Sequence, residues 1–66
     1  MAVRRKYLEE NPFVLFEFKE DTKEAEMKVC GKVVAVKKVP LFNETFLKMY
    51  FKNEINNYKN TVCPVE

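Results

Sequence analysis

The stretch AEMKVCGKVVAVKK, residues 25–38, decides the fold that we predict from this sequence. It contains Gly31, the only glycine of the chain, between two segments rich in residues that favour strands. A two-residue turn at Cys30–Gly31 suits a β-hairpin, although cysteine is a poor first residue for such a turn. We therefore predict two antiparallel strands joined at Cys30–Gly31. One long strand with a bulge at Gly31 is the alternative.

The register of this hairpin follows if Val29 pairs with Lys32. One face then collects five apolar side chains, those of Ala25, Met27, Val29, Val34 and Val36. The opposite face collects Glu24, Glu26, Lys28, Val33, Ala35 and Lys37, with Glu24 opposite Lys37. Apolar residues gather on one face without any forced placement, which favours the hairpin over the single strand.

A third strand is predicted over residues 13–19, FVLFEFK, because phenylalanine and valine are good strand formers. Alternation along this strand places Val14, Phe16 and Phe18 on one face. The other face takes Phe13, Leu15, Glu17 and Lys19.

Residues 43–59, NETFLKMYFKNEINNYK, are predicted to form an amphipathic helix. Asn43 is a good N-cap, and Glu44 forms a favourable pair with Lys48 four residues later. Phe42 can pack against Leu47 at the start of this helix. Read as a strand instead, residues 45–52 would join a small all-β barrel, which is the alternative fold.

The predicted fold class is therefore α+β, with a three-stranded antiparallel sheet and one C-terminal helix across one face. Residues 1–66 form a single small domain, since the chain is too short for two. Residues 1–11 are predicted to be a basic arm or a short helix, and residues 60–66 an extended tail. The predicted core consists of Val14, Phe16, Phe18, Met27, Val29, Val34, Val36, Leu47, Tyr50 and Phe51.

The composition argues against an enzyme. The chain has no histidine and no serine, and its one glycine cannot build a phosphate-binding loop. With Cys30 and Cys63 as the only cysteines, a closed zinc site is not expected, and no cofactor is predicted. The longest apolar runs are too short to span a bilayer, and no secretory signal is recognisable. We therefore expect free thiols in a reducing cytoplasm.

The sheet face away from the helix is the predicted binding surface, because one helix cannot cover both faces and an exposed apolar patch usually marks an interface. The expected partner is another protein or a second copy of this chain, as in an adaptor, an inhibitor or a homodimer. The residues predicted to bind it are Phe13, Leu15, Lys28, Val33, Ala35 and Lys37. The alternative partner is RNA or DNA, because lysine and arginine can neutralise phosphates. The residues predicted for this role are Arg4, Arg5, Lys6, Lys32 and Lys38.

The order β-β-β-α after a short basic arm resembles that of the small Alu-domain subunits of the signal recognition particle. The resemblance covers KYLEENPFVLFEFK (6–19) and MKVCGKVVAVKKV (27–39). Those families also have a longer first helix, which this sequence lacks. No motif is specific enough to assign membership, and no residue roles are carried over.

Overall fold

A computed structural model describes residues 3–64 as an open antiparallel sheet with two short helices on one face. The strands are β1 (Val3–Leu8), β2 (Asn11–Lys19), β3 (Glu24–Val29) and β4 (Lys32–Lys38), and they pair in the order β1-β2-β3-β4. The helices are α1 (Glu44–Tyr50) and α2 (Lys52–Tyr58). We call the helix side the covered face and the opposite side the outer face.

The predicted three-stranded sheet is wrong, because the expected N-terminal arm or helix forms a fourth strand. Residues 3–8 pair with β2, from Val3 opposite Lys19 to Leu8 opposite Asn11. A helix of this length would be marginal by itself, whereas pairing with β2 also buries Leu8. Residues 1 and 2 of the expected arm lie outside the described residues.

The predicted hairpin is confirmed at its turn. Cys30 and Gly31 have φ values of 54° and 79°, the positive values that a tight hairpin turn requires. Val29 pairs with Lys32, as the sequence predicts. The alternative of a single long strand is wrong.

Further along the hairpin, the predicted register is wrong. A β-bulge interrupts the pairing between Met27 and Lys28, so that Met27 lies opposite Ala35 and Ala25 lies opposite Lys37. A bulge adds one residue to one strand, and side chains beyond it change face. Val36 therefore turns to the outer face, where it is 49% exposed, and does not join the core.

The C-terminal segment is helical, which excludes the barrel alternative, but the single helix predicted over residues 43–59 is divided at Phe51. The backbone of Phe51 departs from helical geometry, with φ of −106° and ψ of 24°. The Asn43 cap is confirmed, since its side-chain oxygen accepts a hydrogen bond of 2.8 Å from the backbone N–H of Phe46. The pair between Glu44 and Lys48 is also present, at 3.2 Å.

The core lies between the covered face and the helices. The ring of Phe51 meets Phe16 at a centroid distance of 5.4 Å, and Phe42 stacks on Phe18 at 5.1 Å. The buried apolar side chains are Leu8, Val14, Phe16, Phe18, Ala25, Met27, Val29, Val39, Phe42, Leu47 and Phe51. Val34 and Tyr50, which were predicted for the core, pack at its margin.

Two contacts hold the tail beyond α2. Asn11 is the buried polar side chain of the described region, and its amide nitrogen lies 2.7 Å from the carbonyl oxygen of Thr61 and 3.0 Å from that of Lys59. Cys30 and Cys63 form a disulfide, with their Cα atoms 5.5 Å apart. The expectation of free thiols is therefore wrong. Residues 65–66 of the predicted extended tail lie outside the described residues.

Within residues 3–64, neither helix has the length and apolar character needed to cross a bilayer.

Candidate interaction surface

All four strands contribute to the outer face, and no element among residues 3–64 covers it. Strand alternation and the observed register determine which side chains it carries. They are Val3, Arg5, Tyr7, Phe13, Leu15, Glu17, Lys19, Glu24, Glu26, Lys28, Val33, Val36 and Lys38.

Charged side chains at the centre of the outer face neutralise one another. The carboxylate of Glu17 lies 2.6 Å from the Lys28 ammonium and 2.8 Å from the Arg5 guanidinium. Lys19 and Glu26 form a second pair at 3.4 Å. Hydrogen bonds from Lys28 and then from Arg5 lower the pKa of Glu17 below its ordinary value, because they favour the ionised form.

One end of the outer face is apolar. We define this apolar end as Tyr7, Phe13, Leu15 and Val33. Tyr7 lies directly opposite Leu15 across the β1–β2 pair, and Phe13 precedes Leu15 by two residues on the same face. Tyr7, Phe13 and Val33 are 59%, 41% and 51% exposed. Lys28 lies between Leu15 and Val33, and its ammonium is directed to Glu17, so its methylene groups border the patch.

Six residues were predicted to bind a protein partner. Four of them lie together on the outer face, namely Phe13, Leu15, Lys28 and Val33. Ala35 and Lys37 do not lie there. Both lie on the covered face, because the bulge in the β3–β4 pair reverses the alternation.

Lys37 acts within the fold. Its ammonium donates a hydrogen bond of 2.7 Å to the carbonyl oxygen of Tyr50, the last residue of α1. It also pairs with Glu54 of α2 at 3.3 Å and lies 5.6 Å from the centre of the Phe51 ring. A lysine at the C-terminal end of a helix is favourable because the last carbonyl groups carry partial negative charge.

Sequence reasoning missed three apolar residues of the outer face, Val3, Tyr7 and Val36. No alternation signal existed for Val3 and Tyr7, because three consecutive basic residues separate them and Tyr7 is followed by another apolar residue. None existed for Val36 either, because valine occupies both faces of β4 and does not reveal where the alternation breaks.

The residues predicted for nucleic-acid binding divide between two edges of the sheet. Arg4 lies on the helix side of β1 and pairs with Glu20 at 3.3 Å, whereas Arg5 lies on the outer face. Lys6 lines a small cleft between β1 and α1. Lys32 and Lys38 belong to β4, three strand spacings or about 14 Å from β1. These residues therefore do not form one continuous basic track.

Among residues 3–64, no group of three or more acidic, cysteine or histidine side chains is placed to hold a metal ion. A groove of about 250 Å³ lies between the β1–β2 turn and the helices. It is lined by Ile55 and by the charged and amide side chains of Glu10, Lys48, Lys52, Asn56 and Lys59. Hydrogen bonding to Glu44 raises the pKa of Lys48 in this groove.

No family model matches this chain, and no curated protein or solved structure is similar to it.

Proposed function

We propose that this protein is a non-enzymatic interaction module that binds a protein partner through the apolar end of the outer face. The observation that carries this proposal is the exposure of Tyr7, Phe13 and Val33 around Leu15 on a face without a covering layer. Contiguous exposed apolar side chains are typical of interaction surfaces.

The neighbouring ion pairs support the same proposal. Because Glu17 is already neutralised by Arg5 and Lys28, a partner that covers the apolar end meets no unpaired carboxylate there. Tyrosine and phenylalanine also contribute large apolar areas with few rotatable bonds, which suits them to binding surfaces. A second copy of this chain is the simplest partner, since each copy presents the same apolar end.

The test is the substitution Leu15→Lys, which places a charge at the centre of the apolar end. Met49→Lys is the matched control, because Met49 is 59% exposed on α1 and lies away from the outer face. Sedimentation equilibrium over a range of concentrations measures self-association, and affinity capture from the native cell measures binding of other proteins.

We expect Leu15→Lys to abolish self-association or the capture of specific proteins, while Met49→Lys retains both. Circular dichroism establishes that both variants are folded. The proposal is wrong if folded Leu15→Lys associates and captures partners as the unmodified protein does.

Nucleic-acid binding is the second candidate, and one observation favours it. Lys32 and Lys38 have no ion-pair partner among the described residues, so their charges are available to phosphates. Arg4 and Arg5 already pair with Glu20 and Glu17, which weakens this candidate. Affinity for nucleic acid must fall steeply with salt, whereas binding through the apolar end tolerates salt. The absence of any shift of labelled RNA or DNA at low salt would exclude this candidate.

The disulfide supports a compartment in which disulfides persist, since they are rare where thiols are kept reduced. The expected cytoplasmic location was based on the absence of a recognisable secretory signal, and free thiols were its expected consequence. Alkylation of protein taken from its native cell without reduction distinguishes the two compartments. Labelling of Cys30 and Cys63 in the denatured, unreduced protein would restore the cytoplasmic interpretation, and labelling only after reduction would contradict it.

A further inference from the structure

The last strand of the sheet, β4, has a free edge and exposed side chains. It pairs with β3 on one side and has no strand on the other side among the described residues. No residue of β4 is buried, whereas three of the six residues of β3 are. Val33 and Val36 are about half exposed, at 51% and 49%. Backbone groups along such an edge can pair with another strand.

The charge of β4 selects the kind of strand that can pair with it. β4 carries three lysines and no acidic residue, while its neighbour β3 carries two glutamates and one lysine. In that existing pair, Glu24 of β3 lies opposite Lys38. Opposite charges placed directly across two strands stabilise the pairing, and like charges destabilise it.

A second copy of this chain does not suit the edge. If β4 of one copy paired with β4 of another, the three lysines of each strand would meet only basic or uncharged residues, since β4 has no acidic residue. The opposite edge of the sheet, β1, carries three basic residues and no acidic one, so β1 of another copy is repelled as well. The two basic edges therefore oppose edge-to-edge pairing between copies of this chain.

We propose that the β4 edge accepts an extended acidic segment of another protein as a fifth antiparallel strand. Lys32 and Lys38 lie at the two ends of β4 and have no ion-pair partner among residues 3–64. Because of the bulge, Lys32 lies on the side of buried Val29 and Lys38 lies on the outer face. They therefore recognise acidic residues five positions apart in the segment, on its opposite faces, as positions 24 and 29 of β3 are. Val33 and Val36 between them favour apolar or β-branched residues in the middle of the segment. Backbone hydrogen bonds supply affinity, and the charge pairs supply specificity and orientation.

This inference does not depend on the proposed function of the apolar end, because it rests on the backbone edge of β4 and on Lys32 and Lys38, and only Val33 belongs to both surfaces. Lys37 takes no part in it, since its ammonium is directed to Tyr50 and Glu54. The Leu15→Lys variant must therefore bind the acidic segment normally. The two proposals can fail separately.

The probe is the synthetic peptide Thr-Glu-Val-Thr-Val-Thr-Glu-Thr, blocked at both ends, with its two glutamates five residues apart and therefore on opposite faces of the strand. The matched control peptide has lysine in place of both glutamates. Titration of ¹⁵N-labelled protein, with its disulfide intact, gives the affinity and identifies the amides that respond. We expect the acidic peptide to bind at least about tenfold more tightly than the basic peptide at low salt. The responding amides should lie mainly in β4.

Charge reversal at the edge is the decisive variant. Lys32→Glu combined with Lys38→Glu should reverse the preference, so that the basic peptide binds more tightly. Lys52→Glu combined with Lys59→Glu changes the net charge equally on exposed positions of α2 and its C-terminal end, and it should keep the preference for the acidic peptide. Preserved amide spectra in the rest of the sheet establish that each variant is folded.

Strand pairing is tested with two N-methylated forms of the acidic peptide. One form is methylated at alternate residues along one edge, and the other form along the opposite edge. Strand addition predicts that one form binds and the other does not. Equal affinity of both forms, equal affinity for the acidic and basic peptides, or unchanged preference after reversal at Lys32 and Lys38 would each overturn the proposal.

Discussion

The covered face and the outer face belong to the same four strands, yet they place charge and apolar groups in opposite positions. On the covered face the centre is apolar, and cations appear at the two edge strands. There, Arg4 of β1 lies 5.6 Å from the centre of the Phe42 ring, and Lys37 of β4 lies at the same distance from Phe51. On the outer face the centre is charged, around Glu17, and apolar side chains lie at one end.

The difference follows from what covers each face. Helices exclude water from the middle of the covered face, where an unpaired charge would be costly, so charged groups reach it only from the edges. Long basic side chains suit this position because their methylene groups pack while the charged end finds a ring, a carbonyl oxygen or water. The outer face stays in contact with water, so paired charges can occupy its centre, and apolar side chains at its end remain exposed.

The largest effect that separates the two faces should come from removing a phenylalanine ring. Phe51→Ala should lower the free energy of unfolding by about 3–5 kcal/mol, because Phe51 is completely buried and its loss leaves a cavity beside Phe16. Phe13→Ala on the outer face is the matched control and should cost less than about 1 kcal/mol. Urea unfolding measures both, and equal losses would contradict the assignment of the two faces.

The next largest effect should come from the disulfide. Replacement of Cys30 and Cys63 by serine should cost roughly 3–4 kcal/mol, because the bond joins residues 33 apart and restricts the unfolded chain. Chemical unfolding of the variant is compared with unfolding of the oxidised protein. Addition of a reductant should lower the stability of the unmodified protein by a similar amount and leave the variant unchanged. If the reductant did not change the unfolding midpoint of the unmodified protein, the disulfide would contribute nothing to stability.

A smaller effect should distinguish two neighbouring lysines of β4. Lys37→Met keeps most of the side chain but removes the ammonium from Tyr50 and Glu54, which should cost about 1 kcal/mol given the partial exposure of Lys37. Lys38→Met, on the outer face, should change stability by less than about 0.5 kcal/mol. Thermal unfolding of the two variants checks the order. A greater loss for Lys38→Met would mean that the bulge does not direct Lys37 to the helices.

The smallest effect concerns Glu17 and depends on pH. Because the folded protein lowers the pKa of Glu17 below its ordinary value of 4.5, the ionised carboxylate stabilises the fold above that pH. This contribution is lost as the pH falls through the lowered pKa. Glu17→Gln should therefore reduce stability by less than about 1 kcal/mol at pH 7, and the difference should vanish in acid. Unfolding curves from neutral pH to about pH 3 measure it, and a difference that grows in acid would contradict the argument.

Prediction from the sequence worked where the signal was local. The β2–β3 pairing has no bulge, so side chains alternate between the two faces as predicted, and the buried residues Val14, Phe16 and Met27 were identified correctly. The Asn43 cap and the turn at Cys30–Gly31 were also correct, because each depends on residues a few positions apart. Four of the six predicted protein-binding residues lie together on the outer face for the same reason.

Prediction failed where distant segments meet. Residues 3–8 become a strand because β2 offers them a pairing partner, and this short basic segment does not itself reveal that partner. Pairing of Cys30 with Cys63 depends on how the tail passes the hairpin turn, since the residues are 33 apart in the chain. One failure was local: the bulge within the β3–β4 hairpin removed Ala35 and Lys37 from the predicted surface and placed Val36 on it, and no residue pattern marked its position.

The sequence by itself determined the elements of the hairpin, the faces of β2 and β3, and the start of the helical segment. These features arise from backbone preferences and from side-chain periodicity over a few residues. Only the tertiary structure decided that the sheet has four strands, that Lys37 caps α1, and that the Asn11 amide donates to carbonyl groups at and beyond the end of α2, 47 or more residues away. The physical reason is that pairing, burial and charge neutralisation are optimised over the whole fold, where a residue's partners are set by space and not by sequence distance.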